Sequence, residues 1–195
     1  MNRLEVRLSG FGGQGIIRSG EIIGKAAVLY DGQFATFTQS YGPESRGGAC
    51  AAQVAIADDP VELSYPHVVD PSILIIMSQG GYNKYVSDFR RDGLLIVDED
   101  LVELDEAAEG LEMLKIPATR LAEEIGRRIV ANVVMLGFVA AVTDIASPEA
   151  VKKAVLDSVP KGTEELNTHA FDTGFEYGQK MAESKSSDVI YVPRE

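Results

Sequence analysis

The chain has 195 residues, 45% of them hydrophobic and 25% charged, with thirty acidic against eighteen basic side chains and a formal net charge of -12. That length supports one domain with a proper core, and the composition is that of an ordinary folded protein. The charge sets the chain against nucleic acid phosphates, and its single cysteine, Cys50, excludes an internal disulfide and a self-contained four-thiolate iron-sulfur cluster.

In chain order, RLEVRLSG alternates apolar and polar residues at Leu4, Val6 and Leu8, the period of a half-buried strand. It runs into GFGGQG, after which IIRSGEIIGKAAVLY spaces its apolar residues for a helix. Asp31 and Gly32 end that helix. FATFT and ACAAQVAIAD then read as two adjacent strands joined by TQSYGPESRGG. SILIIMS and GLLIVD are short apolar runs bounded by turn residues, as in strands buried on both faces, with a helix GYNKYVSDFR between them. LEMLKI predicts a further strand, and Pro117 opens the helix TRLAEEIGRR. RIVANVVMLGFVAAVTDI is the most apolar helix, expected to be central or interfacial, with Gly137 admitting a neighbouring backbone. Two amphipathic helices follow, PEAVKKAVLDSVP and GTEELNTHAFDTGFEYGQKMAE, and then a polar tail.

The expected fold is α/β: a Rossmann-like, mixed or mostly parallel sheet with helices on both faces, forming a single domain over residues 1–183 with a tail at 184–195. Asp70, Pro71 and Asn132 interrupt the longest apolar runs, which fall short of the roughly 20 apolar residues of a membrane-spanning helix. The opening MNRLEVRLSG is too short in its apolar part for a secretory signal, so the cytoplasm is the expected location. The acidic stretch DEDLVELDEAAEGLE reads as a solvated face or as a docking surface for a basic partner.

Gly10, Gly12 and Gly15 fit G-x-G-x-x-G between a strand and a helix. Such a turn lets an anion approach the backbone at a helix N-terminus, or it serves only tight turning and close packing. A dinucleotide site needs an acid at the end of the second strand, where this chain has Gln39 and Ser40, and Asp31 stands before that strand at the wrong end. There is no G-x-x-x-x-G-K-[ST], CxxC, HExxH or G-x-S-x-G, and no GDG with a downstream Asn for a magnesium diphosphate. His67 and His169 are isolated from each other and from Cys50, whose alanine-rich strand points to a buried inert thiol. No chemistry is expected from this chain alone.

GFGGQGI, SYGPESRGG, PSILIIMSQ, GLLIVD, NVVMLG and NTHAFDTG, in that order, resemble the γ subunit of the 2-oxoacid:ferredoxin oxidoreductases, the pyruvate/ketoisovalerate oxidoreductase γ domain. The likeness covers nearly the whole chain. YGPESRGG is more similar to 2-oxoglutarate and branched-chain members than to pyruvate members, which carry a second arginine in place of Ser45. The resemblance implies a complex that converts a 2-oxoacid and coenzyme A into acyl-CoA and carbon dioxide while reducing ferredoxin. Thiamine diphosphate, magnesium and iron-sulfur clusters would sit on α and β subunits, with a δ subunit as a further partner. The γ chain would contribute structure and a hand in coenzyme A or substrate access. Gly10, Gly12, Gly13, Gln14 and Gly15 are then candidates for an anion or coenzyme A contact. Tyr41, Gly42, Pro43, Glu44, Arg46, Gly47, Gly48 and Asn132 are candidates for a subunit interface. Two alternatives stay open: a stiff surface loop whose Arg46 pairs locally with Glu44, and a free-standing Rossmann-like nucleotide-binding protein.

Overall fold

The alternation of the first strand builds two faces with different duties. In the computed structural model, which describes residues 3–42 and 49–184, β1 (Leu4–Phe11) turns Leu4, Val6 and Leu8 into the main core, each at most 2% exposed. Its polar side chains do not simply face water. Arg3, just ahead of the strand, donates to the carbonyls of Glu62, Tyr65 and His67, while Glu5 accepts from the amides of Val69 and Asp70. Arg7 donates to the Val68 carbonyl and lies 5.0 Å from the Tyr85 ring. This polar row holds the irregular segment of residues 62–70, whose backbone groups would otherwise lack partners.

α1 (Ile16–Lys25) follows and widens into a π turn at Ala26–Tyr30 before Asp31. β2 (Phe34–Tyr41) and β3 (Ala49–Ala57) form an antiparallel hairpin, so the second strand runs past the expected FATFT to include Tyr41. β4 (Ile73–Ile76) and β5 (Leu94–Asp98) are buried throughout, as their unbroken apolar runs require. α2 (Gln79–Tyr85) starts earlier than expected, because Ser78 Oγ accepts from Gly81 N and caps it, and it ends earlier, at Tyr85. β6 (Glu112–Ile116) and α3 (Ala118–Glu124) come next, and Gly126, at φ +99°, marks the end of that helix. α4 (Ala131–Val142), α5 (Pro148–Leu156) and α6 (Glu164–Ser184) complete the described chain.

The sheet order is β2-β3-β1-β4-β5-β6, with β1, β4, β5 and β6 parallel in sequence and β3 antiparallel to both its neighbours. Ile73, Ile75, Leu94 and Ile96 face a core shared with α1, α3, α4, α5 and α6. Leu74, Ile76, Leu95 and Val97 face a second core with α2 and residues 102–111. The fold is thus the expected mixed α/β sheet covered on both faces. Among the described residues no helix is long and apolar enough to cross a membrane.

Eleven of the twelve residues of α4 are buried, and the helix is central as its composition foretold. It crosses α6 with backbone against backbone. A Cβ on Gly137 would stand 2.0 Å from the Phe171 carbonyl oxygen, and one on Gly174 would stand 1.9 Å from that of Val134. Neither carbonyl can move without displacing its helix. Gly137→Ala and Gly174→Ala should each lower the unfolding free energy by about 3 kcal/mol despite the better helix propensity of alanine. Urea unfolding of each variant checks this, and an unchanged midpoint would refute the close crossing.

Candidate functional site

The glycine turn stands where the strand order reverses, with β4 on one side of β1 and β3 on the other. In open α/β sheets, ligands bind in the crevice outside the strand ends at such a point. The turn is built by close contacts. A Cβ on Gly10 would lie 2.6 Å from Gln14 Oε1 and 2.7 Å from Ile16 Cδ1, so only glycine lets the chain double back. Gly13 and Gly15 have φ of +99° and +77°, the left-handed region that suits glycine. Gly12 is exposed at the tip.

Gln14 locks the turn with both ends of its amide. Oε1 accepts from Phe11 N at 2.6 Å, and Nε2 donates to the Met77 carbonyl at 2.7 Å, which ties the end of β1 to the residue after β4. The Gln14 side chain is therefore committed to the scaffold. Its backbone amide is committed too, donating to the Phe11 carbonyl at 3.1 Å, so what remains for a ligand is the start of α1, which begins at Ile16 with no side chain capping its first turn.

A cavity of about 290 Å³ opens beside the turn, lined by Gly13, Gln14 and Met77 on one side and by Thr119, Arg128, Ile129 and Ala131 on the other. The start of α4 also lacks a side-chain cap, whereas the start of α3 is satisfied from the strands. Asp98, fully buried at the end of β5, accepts from Thr119 N at 3.0 Å and Thr119 Oγ1 at 2.6 Å, and from Asp100 N. Burial pushes its carboxyl above the ordinary carboxylate range, against the pull of these hydrogen bonds. A 3-10 turn at Arg128–Val130 leads into α4, and Ala131 N donates to the Arg128 carbonyl, so the cavity presents the uncapped start of α1 and one arginine, whose guanidinium lies 3.5 Å from Glu123 at the exposed rim. This arrangement suits an anionic group.

Of the loop residues expected at an interface, the structure describes two. Tyr41 ends β2 with 65% of its surface exposed, and Gly42 N donates to the Ala49 carbonyl, closing the hairpin ladder. Pro43, Glu44, Arg46, Gly47 and Gly48 lie outside the described residues. The hairpin end and the glycine turn share one rim, since Ala49 pairs with Phe11, itself 43% exposed. Asn132, the remaining candidate, is only 8% exposed and packs inside the chain against Gly15. Asp98 and the cavity wall at residues 128–131 were not singled out as site residues from sequence, because no spacing rule links them to Gly13.

The dinucleotide fingerprint is diverted by topology. The strand beside β1 on the hairpin side is antiparallel β3, which separates it from β2, so the end of β2 cannot hold a ribose in the usual way. Asp31 is occupied at the opposite end of the sheet, where its carboxylate accepts from Ser147 N and Oγ at 2.6 and 2.7 Å and so holds the residue whose Oγ caps α5. It lines a larger, open cavity of about 610 Å³ together with Asp58, Asp144 and Phe175. Cys50 is buried, 5% exposed, with its thiol pushed up by desolvation, and His67 and His169 stand apart on the surface.

The family described as pyruvate ferredoxin/flavodoxin oxidoreductase matches residues 5–177. The chain is 53% identical over 181 residues to the 2-oxoglutarate synthase subunit KorC of Methanocaldococcus jannaschii, covering 92% of this chain and 96% of that one. To the subunit of the same name from Methanothermobacter thermautotrophicus it is 49% identical over 180 residues, covering 89% and 94%. The crystal structure of the keto/oxoacid ferredoxin oxidoreductase γ subunit from Geobacter sulfurreducens PCA superposes with a TM-score of 0.79 at 40% identity, covering 91% of this chain and 99% of that one.

The buried Asp98 supplies a pH test. A carboxyl whose native pKa is raised makes the folded state the tighter proton binder. Its contribution to stability is full below the unfolded value and is lost as pH rises through the native one. Wild type should therefore lose stability relative to Asp98→Asn as pH rises from about 3.5 to 7 in paired urea titrations. A difference that does not vary with pH would contradict the shift.

Proposed function

The chain belongs to the pyruvate ferredoxin/flavodoxin oxidoreductase family, and from that premise we propose that it is the γ subunit of a multi-subunit 2-oxoglutarate:ferredoxin oxidoreductase. The observation that carries this reading is the match, over almost the full length of both chains, to 2-oxoglutarate synthase subunits. The complex converts 2-oxoglutarate and coenzyme A into succinyl-CoA and carbon dioxide and passes the electrons to ferredoxin. Thiamine diphosphate, magnesium and iron-sulfur clusters belong to the α and β subunits, with a δ subunit where the complex has one. The chain's single cysteine is too few for the four thiolates of an iron-sulfur cluster. A cytoplasmic setting belongs to the same proposal.

Within the complex, the rim that joins Phe11, Tyr41 and Gly42 faces the partner subunits, and the loop of Pro43, Glu44, Arg46, Gly47 and Gly48 extends that interface. Exposed aromatics beside an arginine fork are the residues that carry binding energy where protein surfaces meet. Asn132, being buried, would act on a partner only through the turn it packs against. The turn of Gly10, Gly12, Gly13, Gln14 and Gly15 holds an anionic group of coenzyme A, supported by the cavity and the uncapped start of α1 beside it.

Reconstitution tests both parts. The isolated chain should give no 2-oxoacid-dependent reduction of a viologen dye, and adding it to its partner subunits should restore 2-oxoglutarate-dependent ferredoxin reduction. Pyruvate turning over as well as 2-oxoglutarate would contradict the assigned substrate. Arg46→Ala should weaken assembly by about 2 to 5 kcal/mol, the cost of leaving a buried acceptor unpaired, while the variant chain stays folded. An arginine paired locally at the surface would cost only about 0 to 1 kcal/mol. Binding of labelled wild-type and mutant chains to the partner subunits separates the two.

A further inference from the structure

Asn132 is the one polar side chain in α4, whose sequence is ANVVMLGFVAAV. Burying an amide is unfavourable unless its hydrogen bonds are made, and this one makes a single long bond, from Nδ2 to Ser19 Oγ at 3.4 Å. Its Oδ1 accepts nothing from the described residues. The bond is weak, yet the fit is tight. A Cβ on Gly15 would lie 2.5 Å from Asn132 Nδ2 and 2.8 Å from its Cγ, so the amide fills the space that glycine leaves open. Ser19, which receives the Asn132 bond, donates through Oγ to the Gly15 carbonyl at 3.0 Å. Asn132 thus bears on Gly15 twice: by direct packing and through Ser19.

These contacts fasten the first turn of α4 to the first residue before α1. Gln14 and Ala131, the immediate neighbours of Gly15 and Asn132, stand on opposite walls of the same cavity. We propose that Asn132 is a positioning residue that fixes the left-handed Gly15, and with it the angle at which the starts of α1 and α4 face the cavity, and so sets how tightly the complex holds the anionic end of coenzyme A. This rests on the reading of the glycine turn as an anion contact given above.

The test uses the assembled complex with Asn132→Ala, Asn132→Asp and, as an independent probe of the cavity, Arg128→Glu. Calorimetric titration of coenzyme A into the resting complex gives its Kd, and steady-state assays give KM for coenzyme A, KM for 2-oxoglutarate and kcat. Asn132→Ala should raise Kd and KM for coenzyme A about fivefold to tenfold, as expected for the loss of an orienting contact. The values of kcat and KM for 2-oxoglutarate should stay within about twofold. Asn132→Asp keeps the shape but adds a negative charge beside the anion, so it should weaken coenzyme A further, and added salt should narrow the gap. If Arg128→Glu weakens coenzyme A binding and neither Asn132 variant does, the positioning role is wrong and the anion reading stands. If none of the three changes it, the anion reading falls, and the inference with it. Failure of both Asn132 variants to fold would make the residue purely structural and would also overturn the proposal.

Discussion

The structure hangs on a helix crossing made backbone against backbone. Gly137 of α4 and Gly174 of α6 bring the two backbones into direct contact, and the approach is so close that a methyl group at either position would meet a carbonyl oxygen. That contact fixes where α4 lies over the sheet. From there the helix buries nearly all of its surface in the main core and delivers its first turn to the end of β1. The Asn132 contact with Gly15, the cavity wall at residues 128–131 and the spacing of two helix starts all follow from that placement. Interiors packed to crystal-like density transmit such constraints, because no void exists to absorb a shift.

Much of this was legible in the sequence. A strand, a glycine turn and a helix at residues 4–25 could be read because left-handed turns need glycine and because the apolar period changes from two to that of a helix. β4 and β5 could be read from unbroken aliphatic runs, and the closeness of α4 to another backbone from a single glycine in an apolar helix. The polar row of Arg3, Glu5 and Arg7 was harder to place. Alternation places those side chains on one face, but only the folded chain shows that the face is clamped to backbone groups of residues 62–70. Sheet order was not legible either. The hairpin of β2 and β3 follows from local signals, whereas the insertion of β3 beside β1 depends on long-range pairing. The same limit hid the meeting of Asn132 with Gly15, which are far apart in sequence and joined only by the path of α4.

That inserted strand also explains why a dinucleotide-like fingerprint occurs in a chain of this family. The turn keeps the strand, the glycines and the uncapped helix start, which form a general anion-accepting geometry. What it loses is the neighbouring parallel strand whose end would hold a ribose. In its place stands the antiparallel hairpin, whose described end at Tyr41, Gly42 and Ala49 lies at the same rim. A nucleotide pocket on one chain is replaced by a glycine turn and a hairpin end that share one rim. On the proposed reading, the γ subunit helps to shape a site whose chemistry lies on its partners.

The direct test is amide hydrogen exchange on this chain alone and in the assembled complex. The account predicts that peptides covering residues 10–17 and 40–50 become protected on assembly, while those covering residues 30–34 and 143–149, at the opposite end of the sheet, do not change. Protection at the Asp31 and Asp144 end, with none at the glycine turn and the hairpin, would contradict it.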